Sequence, residues 1–384
     1  MRYENYVMNM VAIKRTQNPF IIRGYAGPEY FCDREQETAA LMSALDAGRD
    51  VVLVSPRRIG KTGLIHHLFH NLKRQSDIYT FYLDIFPTQN LSEFVQLFGE
   101  TVLGRLDAPL EKAMQRVMTY VHSLVPKFSA DPLTGSPVVS LDVAERDNKL
   151  TLREIFDSLK SSEKECYIAI DEFQQINEYP EKGVEAMLRS YIQFLPNVHF
   201  IFAGSRQHML QDMFLLPKRP FYQSAQVMNL QPLDREAYYR FCASKCLTKE
   251  LFLDQDVFNA LYDRYSGYTW YIQQVMNRLY QYEVSPVQEL VDAAVREIVE
   301  EQADAYARLF NVLPSGCRRL LKAVSREGVV TGILSGSFIA RHNLKAASSV
   351  QASLRKLTEI ELVSKTADGY VISDRFMADW LRTL

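Results

Sequence analysis

Hydrophobic positions follow two regimes along the chain. From Val51 to Leu230 short apolar runs alternate with stretches of helical period. Beyond Pro232 the short runs disappear and helical periodicity continues alone. The runs are Val51–Val54, Ile78–Ile85, Tyr167–Ile170, Val198–Ala203 and Gln226–Leu230. A segment apolar on both faces reads as a strand covered on both sides. Its alternation with helices predicts an α/β unit on a parallel sheet. Ahead of the first run, Asp33 with Gln36 three residues on has the form of a helix N-cap, and Ala40, Leu41, Ala44 and Leu45 form one face. Residues 126–148, with Pro126, Pro132, Gly135 and Pro137, read as an irregular excursion before a helix at 151–160 that Thr151 and Glu154 would cap.

After Pro232 the pattern predicts helices at 234–246, 254–265, 269–282 and 286–308. Further helices follow at 315–326, 335–342 and 346–359. Leu362–Lys365 and Tyr370–Ser373 flank Asp368-Gly369, a hairpin signal. Three helices and a hairpin make the layout of a winged helix-turn-helix. The expected division is 1–230, including an irregular N-terminal arm, then 231–308, then 309–384. A chain of 384 residues exceeds one ordinary core, which fits several domains.

Composition narrows the class without naming it. With 47% apolar and 23% charged residues the chain is globular rather than disordered. A formal net charge of −2 gives no whole-molecule attraction to nucleic acid or anionic membranes. No apolar run approaches a membrane span, and the N-terminus lacks the apolar core of a signal peptide, so no membrane partner is expected. Cys32, Cys166, Cys242, Cys246 and Cys317 include no CxxC pair and read as free thiols of a reducing cytoplasm.

The candidate chemistry lies at two strand ends. Val54 is followed by Ser55-Pro56-Arg57-Arg58-Ile59-Gly60-Lys61-Thr62, and a helix follows. This is the GxxxxGK[ST] phosphate loop with Ser55 in place of the first glycine. A strand delivers the chain to a tight turn whose inward N–H groups, with the helix start, cradle an anion. Gly60 lets the backbone approach phosphate, Lys61 supplies a point charge, and Thr62 offers a hydroxyl to Mg²⁺. The run Tyr167-Ile168-Ala169-Ile170 ends in Asp171-Glu172. Asp171 is the second expected metal ligand, and Glu172 the base that deprotonates an attacking water. Either segment alone could be ordinary strand–helix punctuation; together they explain each other. The expectation is a nucleotide-metal complex gripped where two neighbouring inner strands end. Ser205, after Val198–Ala203, is a further candidate contact, since open α/β sheets bind ligands at carboxyl strand ends. Arg219 is a candidate arginine finger, with a solvated loop charge as the alternative.

These residues resemble the archaeal-type ATPases, P-loop proteins related to the STAND and AAA+ ATPases. The likeness runs through Asn18-Pro19-Phe20, Phe31-Cys32-Asp33-Arg34-Glu35, the loop Ser55–Thr62 in a form associated with bacterial members, Ile170–Gln174, Ala203-Gly204-Ser205, and Gly369–Phe376. Ser266–Gln273 resembles the family's Ser-Gly-Gly-x-Pro segment, with Trp270 where proline is expected. The resemblance implies a P-loop core, a helical lid, a C-terminal winged helix, and ATP as ligand with adenine near Phe31–Glu35. The leading expectation is a Mg²⁺-dependent ATPase acting as a switch, its lid relaying nucleotide state to the winged helix and an unidentified protein partner. DNA is the second candidate partner, as in replication initiators of similar layout. The helix from Ala346 to Glu361, however, carries Lys345, Arg355 and Lys356 against Glu359 and Glu361. A nucleotide-binding scaffold without turnover is the third reading, and a homo-oligomer would supply any trans-acting arginine.

Overall fold

The computed structural model describes residues 18–73, 75, 77–103, 124–130, 137–143, 148–366 and 368–384. Two compact units emerge, Arg23–Asp234 and Arg235–Leu384, the latter joined by residues 18–22.

The first unit is built on strands β1 (Val51–Val54), β2 (Ile78–Asp84), β5 (Glu165–Asp171), β6 (Val198–Gly204) and β7 (Gln226–Asn229). They form one parallel sheet in the order β2-β5-β6-β1-β7. Every residue of β1 and β6 is buried, which suits central strands, whereas edge strand β2 is only partly covered. The helices Lys61–Leu72, Leu91–Leu103, Asn148–Lys160 and Val184–Ile192 bury apolar faces that include Leu64, Phe98, Ile155 and Leu188. One expectation fails here. β1 and β5 are not neighbours, because β6 pairs with both, Val54 opposite Gly204 and Ile170 opposite Phe202. A parallel sheet requires crossovers, so chain order does not set spatial order. The central strand, β6, is buried along its whole length.

Three local readings also change. The first helix spans Glu35–Asp46 and follows Arg34 in a left-handed conformation, without a side-chain cap. Asp33 also has positive φ, 56°, and so does not take the extended N-cap geometry. The next helix to differ starts at Asn148, which leaves Thr151 buried inside it rather than capping it. Finally, part of 126–148 is a hairpin of β3 (Leu124–Ala130) and β4 (Pro137–Val143), separate from the main sheet. Pro126 and Pro137 had argued against strands, yet a two-stranded ribbon has edges on both sides and tolerates them.

In the second unit helices span Arg235–Leu247, Gln255–Arg264, Thr269–Tyr282 and Gln288–Val312. Asn18 and Phe20 dock on the third of these, through Asn18 Nδ2 to the Asn277 carbonyl at 2.9 Å and Asn277 Nδ2 to the Phe20 carbonyl at 2.7 Å. Helices Ser315–Glu327, Gly336–Arg341 and Ala347–Glu359 follow, then the hairpin of β8 (Val363–Lys365) and β9 (Tyr370–Ile372), and the helix Arg375–Arg382. Gly369 has a φ of 143° and lies so close to Val330 that a Cβ would sit 2.6 Å from its carbonyl oxygen. Only glycine fits that turn. None of the five cysteines forms a disulfide, and all are buried. Among the described residues no helix is long and apolar enough to cross a membrane.

Candidate functional site

All of the expected site residues lie in the first unit, and the strand ends bring the chemical ones together. β1 ends in Val54 and the chain turns through Ser55–Gly60 into the helix that starts at Lys61. Two positions of this turn have left-handed backbones, Arg58 at φ 72° and Gly60 at φ 100°. Ser55 is not among the positive-φ residues, so its Cβ costs nothing there. Its hydroxyl is buried without a hydrogen-bond partner. A Cβ on Gly60 would meet nothing within 4 Å. An unsatisfied donor and open space beside a glycine are what a phosphate cradle supplies.

Lys61 Nζ lies 2.6 Å from Asp171 Oδ1 and 3.4 Å from Glu172 Oε1. Thr62 Oγ1 donates to Asp171 Oδ2 at 2.8 Å, which places the two expected metal ligands side by side. Tyr82 in β2 donates to the same oxygen at 3.0 Å, and the Glu172 N–H to Oδ1 at 2.9 Å. Burial alone would push the Asp171 carboxyl up. The Lys61 ammonium and the hydrogen bonds from Lys61, Thr62 and the Glu172 N–H outweigh it and hold the group below its ordinary value. Asp84 ends β2 in register with Asp171, and its carboxyl is pushed up by burial and then by the charges of Asp171 and Glu172. Three carboxylates therefore share one lysine.

Glu172 has a left-handed backbone, φ 56°. Its Oε2 accepts from Gln174 Nε2 at 2.5 Å, from the Ser205 hydroxyl at 3.0 Å and from the Ser205 N–H at 3.3 Å. Arg57 Nε donates to Ser205 Oγ at 3.0 Å, so the turn after β1 reaches the end of β6. Pro56, Arg58 and Ile59 complete the turn, and Ile59 is buried. Arg219 does not reach the site. It pairs with Glu185 at 2.6 Å and with Asn177 Oδ1 at 2.6 Å, as a tie within its own unit.

Three side chains here were given no role of their own from the sequence, although Arg34 and Gln174 lie in segments that carry the family resemblance. Tyr82 and Gln174 orient the two carboxylates. Arg34, 3% exposed, donates to the Gln231 carbonyl at 2.6 Å and to the Ile59 carbonyl of the phosphate turn at 3.5 Å. For Tyr82 the period-2 placement two residues before Asp84 was the one available hint, since both then face the same side of β2.

The donor set suits a hard divalent cation: a hydroxyl and a carboxylate oxygen converge, with further acid beside them. Among the described residues no group of three or more His, Cys, Asp or Glu could hold a metal without other ligands. A metal at Thr62 and Asp171 would thus take most of its shell from phosphate and water, as Mg²⁺ does.

Two family models match. Residues 31–275 match the ATPase domain predominantly from Archaea, and residues 304–383 a winged helix domain. No curated protein matches the chain. Solved structures show the same fold. The Walker-type ATPase of Pyrococcus abyssi aligns over 95% of this chain and 99% of its own, with TM-score 0.66 and 16% identity. The Aeropyrum pernix ORC2 protein in its ADPNP–ADP complexes covers 96% of each chain, with TM-score 0.61 and 15% identity. The Aeropyrum pernix ORC1 protein in complex with DNA covers 93% of this chain and 94% of its own, with TM-score 0.52 and 15% identity.

Proposed function

This chain belongs to the family of ATPase domains found predominantly in Archaea, and from that premise we propose that it binds ATP with Mg²⁺ at Ser55–Thr62 and hydrolyses it. The observation that carries the reading is the convergence of Lys61, Thr62, Asp171 and Glu172 within hydrogen-bond reach of one another. The turn Ser55–Gly60 presents N–H groups to the β- and γ-phosphates, and Lys61 transfers its charge from Asp171 to them. Thr62 and Asp171 would hold Mg²⁺, which would supply positive charge beside the phosphates. Glu172 orients the attacking water and takes its proton. Ser205 and Arg57 face the same space from β6 and the turn, and are suited to contact the γ-phosphate.

In this reading residues 231–308 act as a lid and relay nucleotide state to the winged helix, which meets a protein partner. The reduced, buried thiols fit a cytoplasmic protein. A DNA-binding ATPase is the second reading, favoured by the winged helix match. The helix Ala347–Glu359, expected to read DNA, weakens it, because Arg355 lies 3.6 Å from Glu359.

The test is ATP turnover with Mg²⁺ alongside nucleotide binding. Glu172→Gln should keep ATP binding and lose about 10²–10⁴ in rate. Lys61→Ala should weaken ATP binding itself. Equal turnover in Glu172→Gln and the parent would remove Glu172 as the base, and unchanged affinity in Lys61→Ala would remove the site.

A further inference from the structure

The most cationic element of the second unit is not the helix expected to read DNA. It is Ser315–Glu327, the first helix of the winged-helix region. Its apolar positions Cys317, Leu320, Leu321 and Val324 are buried. Arg319 and Arg326 are exposed, and Arg318 and Lys322 are half-buried. At about 100° per residue, these four cations fall within roughly 100° of arc, a single stripe about 12 Å long. The helix's one acid, Glu327, is engaged elsewhere, with Arg341 at 2.5 Å and His342 at 2.8 Å. Among the described residues none of the four cations pairs with a carboxylate side chain. Arg318 and Lys322 lean over the Phe310 ring at 5.9 and 5.7 Å, which fixes their stems, and Lys322 Nζ reaches the Leu384 carbonyl at 3.4 Å.

We infer that this stripe is a docking surface for the phosphate backbone of a nucleic-acid duplex. It is read for charge and not for sequence. Three of the four cations are arginines, whose planar fork matches phosphate oxygens. A duplex carries about one negative charge per 1.7 Å of axis, so a 12 Å stripe runs beside about seven phosphates. An unbroken line of cations suits that evenly charged partner. The helix Ala347–Glu359 differs, since its Arg355 already has Glu359. Phosphate contacts position a protein on DNA without sequence information. The inference is independent of ATP chemistry and gives the second reading above a specific surface.

The experiment uses the full chain and a 30-bp duplex of mixed sequence, with affinity followed by fluorescence anisotropy from 50 to 200 mM salt. Four phosphate contacts predict a log–log slope of about −3 to −4, or a loss of roughly 100-fold across that range. The triple variant Arg319→Gln, Lys322→Gln, Arg326→Gln should lower affinity at least about tenfold at 50 mM and flatten the slope by about 3. The double variant Arg319→Gln, Arg326→Gln changes only exposed side chains and should flatten it by about 2. ATP turnover should be unchanged in both, so loss of turnover and loss of binding remain separate results. Three outcomes overturn the proposal: no duplex binding at 50 mM salt, a variant slope equal to the parent's, or a larger loss from Arg355→Gln with Lys356→Gln. Binding to vesicles of anionic phospholipid with none to the duplex would also overturn it, in favour of a membrane surface.

Discussion

Asp171 in the first unit and Asp379 in the second are built from the same parts. Each is buried, each accepts a tyrosine hydroxyl at 3.0 Å, from Tyr82 and Tyr265, and each has a cation at 2.6 Å, Lys61 and Arg382. Their remaining partners differ. Asp171 is bounded by an exposed threonine hydroxyl and by a turn that holds the orphaned Ser55 hydroxyl. Its lysine is a flexible point charge that also lies near Glu172. Asp379 has a second guanidinium, Arg264 at 3.4 Å, itself held by Asp292 at 2.9 Å. Arg382 is held by the Ser325 carbonyl at 2.7 Å. Tyr265 stacks on Tyr271 and meets Phe376 edge-on. A buried carboxylate with a cation and a tyrosine is therefore no functional signal in itself. At Asp379 the partners hold one another, whereas the proposed function has those of Asp171 exchanged for a ligand.

Removing each carboxylate separates the two. Asp379→Ala should destabilise the second unit by about 3 kcal/mol, the lower end for a broken buried pair, because Arg264 and Arg382 retain some access to water. The loss should be the same with and without MgATP. Asp171→Ala should cost less in the absence of nucleotide, since Lys61 can turn to Glu172, and should abolish most of the stabilisation that MgATP brings. Thermal melts with and without MgATP check both. If Asp171→Ala keeps the parent's MgATP shift, the distinction fails.

How far this distinction was legible in the sequence depends on how local its causes are. The cradle was legible because Gly60, Lys61 and Thr62 act through consecutive positions in a strand–turn–helix. Asp171-Glu172 was legible because the pair ends a run of four apolar residues. The roles of Tyr82 and Arg34 were not, because Tyr82 meets Asp171 across the β2–β5 pairing and Arg34 reaches the carbonyls of Ile59 and Gln231. Gln174, two residues from Glu172, showed only within the segment that carries the family resemblance. The place of β6 between β1 and β5 was hidden because crossovers set the spatial order of the strands. The Arg219 tie to Glu185 and the Asp379 network join residues far apart in sequence, so no spacing encodes them. In the winged-helix region the expected helices lie close to those observed, and the cation stripe is hidden in the sequence because Arg318, Arg319, Lys322 and Arg326 line up only once the helix is wound.

A second test compares ionisation at opposite ends of two strands, at Asp50 just before β1 and at Asp171 at the end of β5. Asp50 precedes the strand, accepts the Phe200 N–H at 2.8 Å, and has no lysine like that of Asp171. Burial pushes its carboxyl up to about 6, against the Phe200 hydrogen bond and the Arg189 charge. The folded state thus holds this proton more tightly than the unfolded chain. Its contribution to stability is full below about pH 4 and is lost as pH rises through about 6. Asp171 behaves oppositely, with a contribution present above the ordinary carboxylate range and lost as pH falls through its lowered value. Asp50→Asn keeps the acceptor and removes the titration. It should match the parent near pH 4 and exceed it at pH 7 by about 1–3 kcal/mol. Denaturant melts across this range check the slope, and a variant with the parent's pH profile would reassign it to other groups.

The smallest expected effects come from the two tyrosines, and they test the comparison at a single hydroxyl. Burial, followed by the charge of the neighbouring aspartate, pushes both phenols well above their ordinary value, so each stays a donor throughout the accessible range. Replacing either with phenylalanine removes one hydrogen bond to a carboxylate that keeps its cation, at a net cost of about 1–2 kcal/mol. Tyr265→Phe should show that cost equally with and without MgATP, because nothing at Asp379 is exchanged. Tyr82→Phe should show it without nucleotide and also reduce the MgATP-induced shift in melting temperature, because Asp171 would meet the metal with one orienting donor fewer. Matched melts of the two variants decide the point. An undiminished MgATP shift in Tyr82→Phe would mean that Lys61, Thr62 and the Glu172 N–H are enough to fix Asp171, and that Tyr82 is a staple like Tyr265.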